Sequence, residues 1–144
     1  MKTVFSLFFF LFLFAKQDSI KPQTQRVLSA MIEMQNVGTD EAINTFINKY
    51  FHPDLLYKMK NRSEHVSFYR QIIEEFGDVQ KEVFKVEVST DRKLKVQLLK
   101  KGVSFVPDPS PEEILVVEID LNQDQPEYLA RGLGMGALIC YIKR

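Results

Sequence analysis

The apolar positions of this chain change their spacing twice. Residues 4–14 form a nearly solid apolar run behind the cation Lys2 and end on the small residue Ala15. That is the n-region, h-region and cleavage layout of a signal peptide, and the run falls short of the ~20 apolar residues that cross a bilayer. Residues 1–15 are therefore expected to be removed after Ala15, with no stable membrane span, leaving a protein that works in a secreted or periplasmic setting. Residues 16–23 are polar, carry Pro22 as a breaker, and read as a flexible leader. From Thr24 the spacing is helical, and after Asp78 it becomes alternating.

Three helices are predicted from the helical stretch. The first runs from Thr24 with Val27, Leu28, Met31, Ile32 and Met34 on its inner side, and Gly38 suits a C-terminal cap. Thr39 then suits an N-cap, with Asp40 and Glu41 placed where the helix dipole favours negative charge. Ala42, Ile43, Phe46, Ile47, Tyr50 and Phe51 make the apolar face of this second helix. His52-Pro53 breaks it, because a residue before proline avoids the α region. Pro53 is suited to open a short further turn carrying Leu55 and Leu56. The third helix starts at Asn61 or Ser63, with Asn61 and Glu64 at capping-box spacing. Val66, Tyr69, Ile72, Ile73 and Phe76 form its stripe, and Gly77 ends it.

The alternating part predicts four strands. Phe84, Val86 and Val88 alternate with Lys85, Glu87 and Ser89, and Leu94, Val96 and Leu98 follow a turn at Asp91-Arg92. Pro107, Pro109 and Pro111 bracket a loop that no central strand would tolerate. Residues 114–121 carry Leu115, Val117, Ile119 and Leu121 on one face, residues 122–126 turn, and residues 128–142 form a last strand. Its glycines 132, 134 and 136 are suited to a bend or bulge. Period-2 patterning with one wet face marks antiparallel strands. The chain is expected to be α+β, with three N-terminal helices packed on a four-stranded antiparallel sheet in one domain over residues 24–144.

Composition narrows the partners. The chain has 19 basic and 19 acidic residues, and loss of Lys2 with the leader leaves 18 against 19. This near-neutral balance does not favour nucleic acid or an anionic membrane. Cys140 is the single cysteine, so no internal disulfide can form. It is either a small buried hydrophobe of the terminal segment or the donor of an intermolecular disulfide.

The combination of Gly38-Thr39-Asp40-Glu41-Ala42, Phe46, Phe51-His52-Pro53-Asp54-Leu55, the Phe76-Gly77 helix exit and Pro126-Glu-Tyr-Leu-Ala-Arg-Gly-Leu-Gly-Met135 resembles the nuclear transport factor 2-like (cystatin-like, SnoaL-like) superfamily. More particularly it resembles the secreted domain that precedes some serine hydrolases and tail-processing-type peptidases. The resemblance covers nearly all of residues 24–139. It implies a curved sheet wrapped around a helix into a cone with a pocket. Members include isomerases and dehydratases as well as non-catalytic binding and dimerisation modules, so the fold by itself selects no activity.

Candidate chemistry is sparse. His52 sits in a helix break, where it suits capping or packing. His65 begins the third helix with Tyr69 one turn on, and reads either as an exposed helix-start residue or as half of a pocket pair. Glu118 and Asp120 share a face with Ile114 and Val116; they are an acid–base pair if that face lines the cone, and solvent charges paired with strand lysines if it does not. No metal-ligand spacing, cofactor motif or Gly-x-Ser-x-Gly elbow occurs, and Gly132-Leu-Gly-Met-Gly136 departs from the dinucleotide fingerprint. Asn61-Arg62-Ser63 is a glycosylation sequon. The leading expectation is a non-catalytic domain that binds a small apolar ligand or a protein partner. Phe46, Tyr50, Tyr69 and Phe84 would line its pocket, with Phe76 in the core. An isomerase- or dehydratase-like enzyme using Glu118, Asp120 or His65, and a homodimerising module, are the alternatives.

Overall fold

The computed structural model describes residues 19–59, 61–104, 108–122 and 128–142. The expected signal peptide and the first part of the expected leader, Pro107 and most of the expected 122–126 turn lie outside the described residues. Among the described residues four helices precede the sheet: α1 (Pro22–Val37), α2 (Asp40–Tyr50), the short α3 (Pro53–Leu56) and α4 (Arg62–Phe76). Strands β1 (Val79–Ser89), β2 (Lys93–Lys100), β3 (Ile114–Leu121) and β4 (Ala130–Ala137) form one antiparallel sheet in the order β1-β2-β3-β4. A closing helix, α5, covers Leu138–Ile142. The architecture is α+β, with helices packed against a four-stranded antiparallel sheet. Among the described residues no helix is long and apolar enough to cross a membrane.

Local chemistry explains the helix boundaries. Pro22 opens α1 instead of standing before it, because at the first helical position its missing N–H costs nothing and its fixed φ suits the turn. Gly38 ends α1 at φ +71° and donates its N–H to Met34 O at 3.0 Å. A Cβ there would stand 3.2 Å from Ile73 Cγ2. Gly38→Ala is therefore expected to cost about 1 kcal/mol or somewhat more, read as a lower urea midpoint at unchanged m-value. Thr39 caps α2 by accepting from Ala42 N at 3.1 Å, and Asn61 caps α4 by accepting from Glu64 N at 3.1 Å.

Side-chain hydrogen bonds then join the elements. Asn36 pairs with Val79 as a neighbouring strand would, donating from Nδ2 to its carbonyl at 3.0 Å and accepting its N–H at 2.8 Å. This ties the end of α1 to the start of the sheet. Arg62 of α4 donates to Asn44 and Asn48 of α2, and Arg70 forks onto Asp40.

The core lies between α1, α2, α4 and one face of the sheet. Leu94, Val96 and Leu98 of β2 and Leu115, Val117, Ile119 and Leu121 of β3 supply that inner face. Strand β1 departs from simple alternation. Register shifts between Val83 and Lys85 and between Val86 and Val88 move its side chains off their expected rows. Val83 and Val86 pack on the core, while Val88 pairs with Lys95 on the outer face and is 41% exposed. The predicted common face of Phe84, Val86 and Val88 is thus broken by bulges.

The last predicted strand is also shorter than its pattern. It stops at Ala137, and α5 turns back toward β3 and the 3-10 turn Pro111–Glu113. At that end of the outer face Leu99, Ile114 and Val116 are buried. Gly136 gives Tyr141 room there, since a Cβ at Gly136 would lie 3.3 Å from its ring. Cys140 is exposed on α5, so the buried-hydrophobe reading of this residue does not hold: in a helix, unlike a strand, it points away from the sheet that Tyr141 covers.

Candidate functional site

Helices α1 and α2 bound an open groove of about 350 Å³. Its lining combines Met34, Phe46 and the small residues Ala30 and Ala42 with Tyr50, and Glu33, Glu41 and Lys49 are the charged groups. Helical spacing accounts for this. Ala30 and Met34 are one turn apart on α1, as are Ala42, Phe46 and Tyr50 on α2, so each set shares a face. The Tyr50 ring has Arg26 on one helix 5.2 Å from its centroid and Lys49 beside it at 5.5 Å. Two cations near one electron-rich ring hold its orientation by cation–π attraction. Nothing local pointed to Arg26, because its approach to Tyr50 depends on how α1 crosses α2.

Beneath the groove the interior is filled. Phe46 packs on Tyr50 at 5.3 Å between centroids, edge-on to Phe51 at 6.0 Å and to Tyr69 at 6.1 Å. Phe68 adds a further edge contact to Tyr69 at 5.2 Å. Tyr69 is only 2% exposed, and burial pushes its phenol above the ordinary range. Of the four expected pocket residues, Phe46 and Tyr50 line the groove and Tyr69 lies behind Phe46. Phe84 does not join them. It is not among the residues that line the groove, and it sits at the β1 irregularity between Val83 and Lys85. Phe76 is buried in the core as expected.

The titratable candidates are dispersed. His65 is buried rather than exposed, at 3% relative accessibility, with its ring edge-on to Phe51 at 5.2 Å. Its Nε2 stands 3.3 Å from the carbonyl oxygen of Leu56, which can only accept. His65 Nε2–H is therefore the donor of this contact, which links the start of α4 to α3. The cause of its burial is tertiary: the Phe51 ring and the Leu56 carbonyl close on it from outside α4. His52 caps α3, its Nδ1 accepting from Asp54 N at 3.1 Å. Asp54 also meets Arg131 of β4 at 2.9 Å.

Glu118 and Asp120 sit on the outer face of the sheet, opposite the face that packs on α1, α2 and α4. Register sets Lys93 opposite Asp120 and Lys95 opposite Glu118. Lys95 Nζ lies 3.4 Å from Glu87 and 3.5 Å from Glu118, and the Glu87 carboxylate, then Glu118, holds its ammonium above the ordinary range. Lys93, Lys95, Glu118 and Asp120 border a second open groove of about 430 Å³ that includes Val88, Gly132 and Gly134. The three catalytic candidates are not brought together: His65 is enclosed in the helix layer, and the carboxylates lie beyond the sheet. Among the described residues no group of three or more His, Cys, Asp or Glu side chains is placed to hold a metal ion. No protein-family model, curated protein or solved structure matches the chain.

Proposed function

We propose that the chain is a non-catalytic binding domain of an extracytoplasmic protein, and that it receives an apolar segment of a protein partner in the groove between α1 and α2. The observation that carries this reading is the composition of that groove. An apolar floor of Met34 and Phe46, small walls at Ala30 and Ala42, and a half-buried Tyr50 held by two cations stand open between two helices. Binding sites concentrate their energy in such aromatic and apolar anchors with a polar rim. A protein segment fits better than a small apolar ligand, because the space behind the groove is occupied by Phe51 and Tyr69. The extracytoplasmic setting rests on the signal-peptide layout of residues 1–15. The kinship with the nuclear transport factor 2-like superfamily, with its curved cone-shaped sheet, rests on the quoted residues and on the order of helices before sheet.

Native mass spectrometry of the protein as its host produces it tests the reading. An added polypeptide mass, absent when Ala42→Trp fills the groove, is the expected result. A small-molecule mass removed by the same substitution would replace the protein partner with a ligand. Added mass that survives Ala42→Trp, or none in the wild type, would overturn the proposal.

A further inference from the structure

The two edges of the sheet are built differently. Strand β1 carries Lys81, Glu82, Lys85 and Glu87 as exposed or half-exposed charges, and its ladder to β2 is interrupted by three register shifts. Charges and bulges of this kind keep an edge strand from pairing with another chain. Strand β4 has neither device beyond its start. His52 N–H donates to Ala130 O at 2.9 Å, and Lys58 Nζ donates to Arg131 O at 2.8 Å. Past Arg131 the strand reads Gly132-Leu-Gly-Met-Gly-Ala137, with no charge and no proline. Among the described residues its backbone there pairs only with β3. The one register shift in that ladder falls at Leu121, beside the covered end.

We propose that β4 pairs with β4 of a second copy of this chain, extending the sheet across a twofold axis normal to it. The occupant is a second copy because the strand is complementary to itself. A twofold axis makes a strand antiparallel to its own image and keeps inner faces together. Centred on Met135, it sets Leu133 opposite Ala137, a large inner side chain opposite a small one. It also sets Gly134 opposite Gly136, so the outer side of the junction carries no Cβ. The inner residues Leu133 and Ala137, which are half-buried and packed on the core, would continue one apolar face into the other. Tyr141 already roofs Gly134 and Gly136 on the outer side. The exposed Cys140 lies beyond the end of β4, so the pairing does not need a disulfide.

Sedimentation equilibrium of the protein as its host produces it is the direct test. The mass of two chains is expected at high concentration, unchanged by reductant or by Cys140→Ser. Gly134→Lys is expected to restore the mass of one chain. A Cβ at Gly134 would make ordinary contacts of 3.5 Å with Glu118 Cβ, 3.6 Å with its Oε2 and 3.8 Å with Tyr141 Oη, so the backbone accepts a side chain there, and the lysine would stand beside an acid while guarding the edge. Ala42→Trp in the groove should leave the two-chain mass intact, which separates this inference from the groove reading. Amide exchange provides a readout independent of any substitution: protection in residues 132–137 should rise with protein concentration. A one-chain mass up to about 1 mM, where even a weak pair would form, would overturn the proposal. So would a two-chain mass lost on reduction, one kept by Gly134→Lys, or concentration-dependent protection confined to residues 93–95 and 118–120.

Discussion

Replacing Leu115 by Ala is expected to remove about 2–5 kcal/mol of folding stability, out of a total on the order of 5–15 kcal/mol. Leu115 is fully buried in β3, flanked by Leu98 of β2 and Ala137 of β4. The truncation loses the transfer energy of the removed atoms and leaves a cavity that strands on both sides cannot close. The melting temperature should fall by roughly 10 °C. Glu118→Ala, three residues along the same strand, should change stability by no more than about 0.5 kcal/mol, because Glu118 faces outward and its partner Lys95 keeps Glu87. Urea unfolding of the two variants side by side checks both statements. A cost for Glu118→Ala equal to that of Leu115→Ala would mean that the two faces of the sheet have been assigned wrongly.

Alkaline pH should destabilise the protein through Tyr69. Burial among Phe46, Phe51 and Phe68 raises its phenol pKa above the ordinary value of 10.0. The sign follows from proton counting. Below about pH 10 the ring is protonated in both folded and unfolded chains, and its contribution is complete. Above that pH the unfolded chain releases the proton while the folded chain retains it. Stability then falls by about 1.4 kcal/mol per pH unit until the folded ring ionises. Tyr69→Phe should remove that part of the slope while leaving the other tyrosines to titrate as before. Denaturant unfolding of both proteins between about pH 9 and pH 11.5 measures the difference, and identical slopes would contradict it.

Much of this architecture is readable from spacing alone. The i, i+3, i+4 pattern through Val27–Met34, the Thr39 and Asn61 caps and the Gly38 and Gly77 exits are local, and each is found where expected. The alternation in β2 and β3 likewise assigns Leu94, Val96, Leu98 and Leu115, Val117, Ile119 to the core without knowledge of the fold. Local signals failed where a neighbour decides the outcome. Nothing in residues 128–142 marks the change from strand to helix at Leu138, because α5 is held by contacts with β3, β4 and the Pro111–Glu113 turn. The bulges of β1 depend on the strand it pairs with, so the alternation that would set Val86 and Val88 on one face does not survive: Val86 packs on the core and Val88 is exposed.

The candidate site divides along the same boundary. That Phe46 and Tyr50 share a helix face follows from helical period, and so does the pairing of Glu118 with strand lysines once the strands are antiparallel. Burial of His65 under α3, the approach of Arg26 to Tyr50 and the open groove between α1 and α2 are different in kind. The α+β class, most element boundaries and the core-facing rows are legible in the chain without its fold, because caps and hydrophobic period act within a few residues. Which side chains meet across elements, which histidine is enclosed and which sheet edge is left unguarded emerge only on folding, because those depend on crossing angles and register between segments far apart in the chain.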